Sequence, residues 1–259
     1  MTHTNVTRLE ELRRETLDTG VQDERTLRVQ LAAAYRIFDY FGWPQLIFGH
    51  ITVRLPGPDR HFLINPFGLL YHEVTASNLV KIDLDGNFVG SGEYPVNPAG
   101  FVIHSAIHGA REDAHCVMHT HTRAGMAIAA LKDGLNCSDF AGISLYNRVA
   151  YHDFEGLTVR MDERERLVRS LADKNILVLR NHGLLTCGKT IAEALLRMCT
   201  LQTACEVQLT ARAAGGALVE PSPEVCERHA ASLDSGNQSA RVFAALMRLM
   251  DERDPSYRN

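Results

Sequence analysis

The chain has 259 residues, 45% of them hydrophobic and 22% charged, with a formal net charge of −4. A chain of this mass buries roughly 73% of its unfolded surface, and the composition excludes collagen-like, mucin-like and wholly disordered chains. No apolar run approaches the ~18 residues of a membrane span, and mild acidity offers no general field for nucleic acid.

The first thirty residues are polar and charged, which predicts no secretory leader. Residues 1–22 are expected to form a flexible arm ahead of a single domain over 23–259. From Asp23 to Phe41, Leu27, Leu31, Ala34, Tyr35 and Phe38 recur at three- and four-residue steps, one helical stripe that Gly42 and Pro44 end. ITVRL (51–55) and HFLIN (61–65) flank a Pro/Gly turn and read as a hairpin. LVKIDLDGNFVG (79–90) predicts two more strands around Asp85-Gly86. A helix is expected over 101–111, a strand over 114–120 and an Ala-rich helix over 123–131. Residues 162–173 form a charged amphipathic helix, and ILVLR (176–180) is a buried strand. A long helix follows over 190–214, and the remainder is helical apart from a loop at 221–224. Strands and helices alternate without a strict βαβ rhythm, so the fold class is mixed α/β.

Cysteines 116, 137, 187, 199, 205 and 226 form no C-x-x-C pair, and free thiols in a reducing cytoplasm are expected. The chemistry lies in the twelve histidines. His119 and His121 end a predicted strand, and side chains at i and i+2 share a face. Their Cα atoms are then about 6.6–7 Å apart, close enough for both rings to reach one ion. Taken alone, the pair is equally two polar histidines at a strand end. His182 adds to it, because Asn181-His182-Gly183 directly follows the buried strand. Three imidazoles from two strand ends make an open donor set, the pattern of a catalytic rather than a structural metal. Cys116, three residues before His119, points to the other face of its strand and cannot close the set.

Four segments resemble the class II aldolase/adducin family: GHITVRL (49–55), INPFGLLYHEVTASNLVKID (64–83), NPAGFVIHSAIHGAREDAHCVMHTHT (97–122) and ILVLRNHGLLTCGKTIAEAL (176–195). Three of them look most like the head domain of adducin. The resemblance implies a three-layer α/β/α sandwich with a mixed, largely antiparallel sheet. It further implies a homotetramer with sites between subunits, and a divalent metal, Zn²⁺ first and Mn²⁺ or Fe²⁺ as alternatives, on His119, His121 and His182. That metal would act as a Lewis acid on a small ketose or keto acid as a C–C bond breaks.

The chain departs from the aldolases at one turn. They carry a glutamate, their general acid/base, four residues before the histidine that matches His104; here the position is Gly100. Pro98 and Ala99 stand where aldolases usually have serines that grip a phosphate. A phosphorylated sugar is therefore not expected, and decarboxylation or retro-aldol cleavage of a small hydroxy or keto acid is. His104, Glu73, Tyr151 and Tyr257 are candidates for the missing base, with His104 and Tyr257 taken as catalytic. His50, Asn65, Gly68 and Gly100 are expected to line the substrate. The rival reading is a non-catalytic, adducin-like scaffold. Adducin's cytoskeletal role depends on a long basic tail, and the sequence given stops at Asn259 without one.

Overall fold

The computed structural model describes residues 22–90, 94–156, 160–232 and 237–259. The arm expected over 1–22 lies, apart from Gln22, outside the described residues. Helix α1 (Glu24–Tyr40) begins where the Asp23 carboxylate accepts the Thr26 N–H at 2.7 Å, satisfying an amide with no partner inside the helix. Its buried face contains the predicted stripe of Leu27, Leu31, Ala34, Tyr35 and Phe38. β1 (His50–Arg54) and β2 (Phe62–Ile64) form the expected hairpin, with Val53 opposite Leu63. β3 (Val80–Ile82) pairs with β2, but the predicted return strand is reduced to a single bridge from Ile82 to Phe88.

Next come α2 (Pro98–Ala110), β4 (Cys116–Thr120), α3 (Arg123–Ala130), α4 (Phe140–Ser144), β5 (Val149–His152) and α5 (Glu163–Leu171). Then follow β6 (Ile176–Leu179), β7 (Gly183–Gly188), α6 (Ile191–Ala213), α7 (Pro223–Ser232), α8 (Gln238–Arg253) and a 3₁₀ turn over Pro255–Arg258. Helix α2 opens on Pro98, whose missing N–H costs nothing in a first turn. Strands β5 and β7 are additions to the predicted set.

The seven strands lie in the order β3-β2-β1-β4-β7-β6-β5, and only β5 and β6 run parallel. Alternate residues of each strand face opposite ways. On one face Ile51, Met118, Val178 and Leu184 pack against α1, α3, α6 and α8. On the other, Val117, Leu177 and Leu185 meet Ile103 and Ile107 of α2 and Leu167 and Leu171 of α5. This is the expected three-layer α/β/α arrangement on a mixed, largely antiparallel sheet. Cys116 lies in the α1/α6 layer, opposite His119, as strand parity predicts. Among the described residues no helix is long and apolar enough to cross a membrane.

For function, the centre of the sheet matters most. β1, β4 and β7 are neighbours, and their register sets His50 opposite His119 and His119 opposite Leu185.

Candidate metal centre

The three histidines singled out in the sequence come together. His119 stands near the end of β4, and His121 follows just past it. His182 sits in the tight turn between β6 and β7, where its N–H reaches the Leu179 carbonyl at 3.1 Å. Asn181 takes the left-handed conformation (φ 55°) that this turn requires, one that asparagine tolerates better than most residues. A Cβ on Gly183 would lie 2.3 Å from the Thr120 carbonyl and 3.1 Å from the His121 ring. Only glycine brings the two strand ends this close.

The ring centres are 4.5 Å apart for His119 and His121, and 4.8 Å for each with His182. One nitrogen from each ring lies within 4.8 Å of the others. His119 Nδ1 donates to the Leu184 carbonyl at 2.9 Å, and His121 Nδ1 donates to Gln45 Oε1 at 2.6 Å. In a neutral ring that leaves Nε2 without a hydrogen. The two Nε2 atoms nevertheless face each other at 2.7 Å. Lone pairs meeting at that distance repel unless a cation lies between them. Burial holds His119 well below the usual histidine pKa and His121 below it, and brings His182 down to about 4, with neighbouring imidazoles adding to the shifts of His119 and His182. All three are therefore neutral imidazoles at neutral pH, and His119 and His121 are oriented through their other ring nitrogen, as metal-binding histidines commonly are. The set fits a divalent cation.

A model of the class II aldolase and adducin N-terminal domain matches residues 29–209. The chain belongs to this family. An aldolase II superfamily protein from Pseudomonas syringae is 46% identical with a TM-score of 0.88, covering 93% of this chain and 98% of that one. L-fuculose 1-phosphate aldolase from Glaciozyma antarctica PI12 is 32% identical with a TM-score of 0.81, covering 91% and 93%. Alpha-adducin of Rattus norvegicus is 44% identical over 88% of this chain, which spans only 33% of adducin's length. Class II aldolases typically depend on a divalent metal, and the His119/His121/His182 cluster is a donor set of that kind.

The other expected residues of the class II aldolase/adducin site divide. His50 lies beside the cluster, its ring centre 5.1 Å from that of His119 and 4.4 Å from that of His104. Burial pushes its pKa down to about 3. Gly100 faces it directly: a Cβ there would sit 2.8 Å from His50 Cγ and Cδ2. In this chain, then, the His50 ring takes space that a side chain at position 100 would enter. His104 is fully buried behind His50 and bonds Thr52 Oγ1 at 2.7 Å.

Two expectations are corrected. Tyr257 is not presented to a substrate: it is fully buried among the helices, and its hydroxyl donates to Asp251 at 2.6 Å. Asn65 turns into the core, its Oδ1 2.9 Å from the Tyr35 hydroxyl and its N–H 3.2 Å from the same oxygen, so those groups serve the fold. Gly68 has open space around its missing Cβ and a φ of 106°. That backbone conformation by itself favours glycine. The weaker base candidates are also committed. Glu73 accepts the Leu70 N–H, while Tyr151 accepts the Leu135 N–H and lies beneath the Arg180 guanidinium.

Two contributors had no signal in the sequence. Gln45 is an ordinary loop glutamine until the fold sets it against His121, and Thr52 is an ordinary strand threonine until α2 lies over it. Only the neighbouring histidine motifs could have directed attention there.

Proposed function

We propose that this chain is a divalent-metal-dependent lyase that cleaves a C–C bond in a small, non-phosphorylated hydroxy or keto acid. One observation carries the reading: three neutral imidazoles converge, with two hydrogen-free Nε2 atoms 2.7 Å apart. His119, His121 and His182 are the proposed ligands and zinc the proposed ion, since three imidazole nitrogens with an open position suit catalytic zinc. When bound, such a cation supplies electrophilic stabilisation of negative charge developing on a carbonyl oxygen.

The chain's own share is positioning. The Leu184 carbonyl and Gln45 fix two of the ring orientations, and Gly183 allows the third ring to approach. Decarboxylation suits this site better than ordinary aldol cleavage. In an acid with a carbonyl β to the carboxylate, the bond to the carboxylate breaks, carbon dioxide leaves, the bonding pair passes through the α-carbon onto the β-carbonyl oxygen, and a proton from water returns to the α-carbon. No side chain need first remove a proton, and Gly100 provides none. A homotetramer with sites between subunits, in the cytoplasm, completes the proposal. His50 and Gly100 remain its proposed substrate-facing positions.

Metal analysis and turnover of a panel of hydroxy and keto acids test it. We expect about one tightly held metal per chain and turnover that a chelator abolishes and zinc restores. His119→Ala should lower turnover by more than about 100-fold, beyond what losing an outer partner costs. Turnover indifferent to chelator and to His119→Ala overturns the reading. The 44% identity to alpha-adducin supports one rival, a non-catalytic scaffold, which predicts neither tightly held metal nor turnover.

A further inference from the structure

A cavity of about 450 Å³ lies where the C-terminal turns of α1 and α8 meet, and none of the proposed metal ligands lines it. That volume falls within the ~300–1,000 Å³ usual for small-molecule sites. Arg36, Asp39 and Tyr40 of α1 form one wall, and Met250 and Arg253 of α8 with Asp254 form the other. His72 completes the lining. Asp39, Tyr40, His72, Arg253 and Asp254 are exposed, so the cavity is open to solvent, while Met250 is buried at its back.

Two guanidinium groups and two carboxylates share this wall, but they are not used alike. Arg36 and Asp254 are spent on each other and on the fold. Arg36 donates to Asp254 Oδ2 at 2.9 Å, to the Val74 carbonyl and to the Ser256 hydroxyl, and Asp254 Oδ1 accepts the Ser256 N–H. Arg253 and Asp39 are the opposite case. Arg253 lies over the Tyr40 ring, 4.9 Å from its centre, a contact that positions the cation without using an N–H. Among the described residues neither its N–H groups nor the Asp39 carboxylate has a hydrogen bond or ion pair, and the two are not paired with each other. One cavity thus presents one uncommitted positive and one uncommitted negative group. Asp39 also stands in the last turn of α1, where the helix carries the negative end of its dipole and no basic side chain answers it.

We propose that this cavity binds a small zwitterion, an α-amino acid with an apolar side chain. Its carboxylate meets Arg253, its ammonium group meets Asp39, and its side chain covers Tyr40 and Met250. Both interactions are charge-assisted, the stronger class of hydrogen bond. A plain organic acid would satisfy Arg253 but set its charge against Asp39, and an amine would make the reverse mistake. A neutral sugar would answer neither charge. The site is separate from the metal centre, and the proposal does not depend on the lyase reading.

The test titrates the full chain with L-leucine, isocaproate and isoamylamine, which share a branched skeleton and carry both charges, the carboxylate alone and the ammonium alone. Followed by calorimetry and by the Met250 methyl signal, leucine should bind at least about tenfold more tightly than either analogue. Arg253→Gln should weaken leucine and isocaproate about tenfold and leave isoamylamine nearly unchanged. Asp39→Asn should weaken leucine and isoamylamine and spare isocaproate. Both residues are exposed and unpaired, so the urea midpoint should not move, and the comparison of the three probes on the wild-type chain needs neither variant. Excess chelator should leave every affinity as it was. The proposal is overturned by an absence of saturable leucine binding, by leucine binding no more tightly than its analogues, or by a Met250 signal that stays still during the titration. Equal losses for all three probes in either variant also overturn it. So does leucine binding that chelator abolishes, which would place the amino acid on the metal instead.

Discussion

The two faces of the central sheet are built from neighbouring residues of the same strands, yet they do different work. Toward α1 and α6, Ile51 and Met118 sit among Leu31, Phe38, Leu195 and Met198, in a layer dominated by apolar atoms. Toward α2, one residue along each strand, Thr52 and His119 are equally buried but polar. The apolar face is held by area removed from water, which tolerates substitutions that keep volume. The polar part of the α2 face, beside the Val117, Leu177 and Leu185 cluster, gains little net stability from its hydrogen bonds, because each replaces one to water. What it gains is direction, since a hydrogen bond to a carbonyl decides which nitrogen of a ring is bare. The site is assembled on the face where orientation, not burial, is the stronger constraint.

Acid should separate the two faces most. His50 and His108 are held neutral by burial, with pKa values near 3 against about 6.5 in an unfolded chain. The unfolded state therefore binds more protons below about pH 6.5, so this contribution to stability is full above that pH and is lost toward pH 3. Between pH 7 and pH 5 each of these residues should cost roughly 2 kcal/mol. Urea unfolding of the metal-free chain at the two pH values measures the sum, and equal stabilities would show that the polar face is not buried as described.

A smaller contrast comes from paired substitutions on β1. Thr52→Val keeps the shape but strands His104 Nδ1 and His108 Nε2, and should cost about 1–3 kcal/mol. Ile51→Val on the opposite face should cost about 0.5–1.5 kcal/mol through a small cavity. Equal costs would remove the distinction drawn here. The smallest effect on folding is expected at Gln45→Ala, which leaves the core intact and frees His121 Nδ1. Metal affinity should fall about tenfold, at the lower end for an outer partner, while the urea midpoint stays where it was.

The sequence conveyed the local part of this design. Strand parity put His119 and His121 on one face and Cys116 on the other, and the run ILVLR delivered His182 to a strand end. Helix α1 was legible because its stripe is strictly periodic. What escaped was non-local. Nothing near residue 50 announces that β1 lies against β4, so the His50 ring beside His119 was not visible. β7 was missed because Gly183–Gly188 is bounded by glycines, and it becomes a strand by pairing with β4 and β6. Tyr257 failed as a site residue for the related reason that a terminal tyrosine gives no sign of docking into a helical layer. Its carbonyl accepts the Ala76 N–H at 2.8 Å across a span of 181 positions.

The pairing of His50 with His119 also ties the register of β1 to the placement of the imidazoles. Were β1 to slip by one position against β4, every side chain along it would exchange sides. Imidazole would be thrust into the aliphatic layer and isoleucine into the place beside His119. Such a misaligned hairpin would be penalised on both surfaces at once, so the chain reaches its chemistry and its correct alignment together or forfeits both.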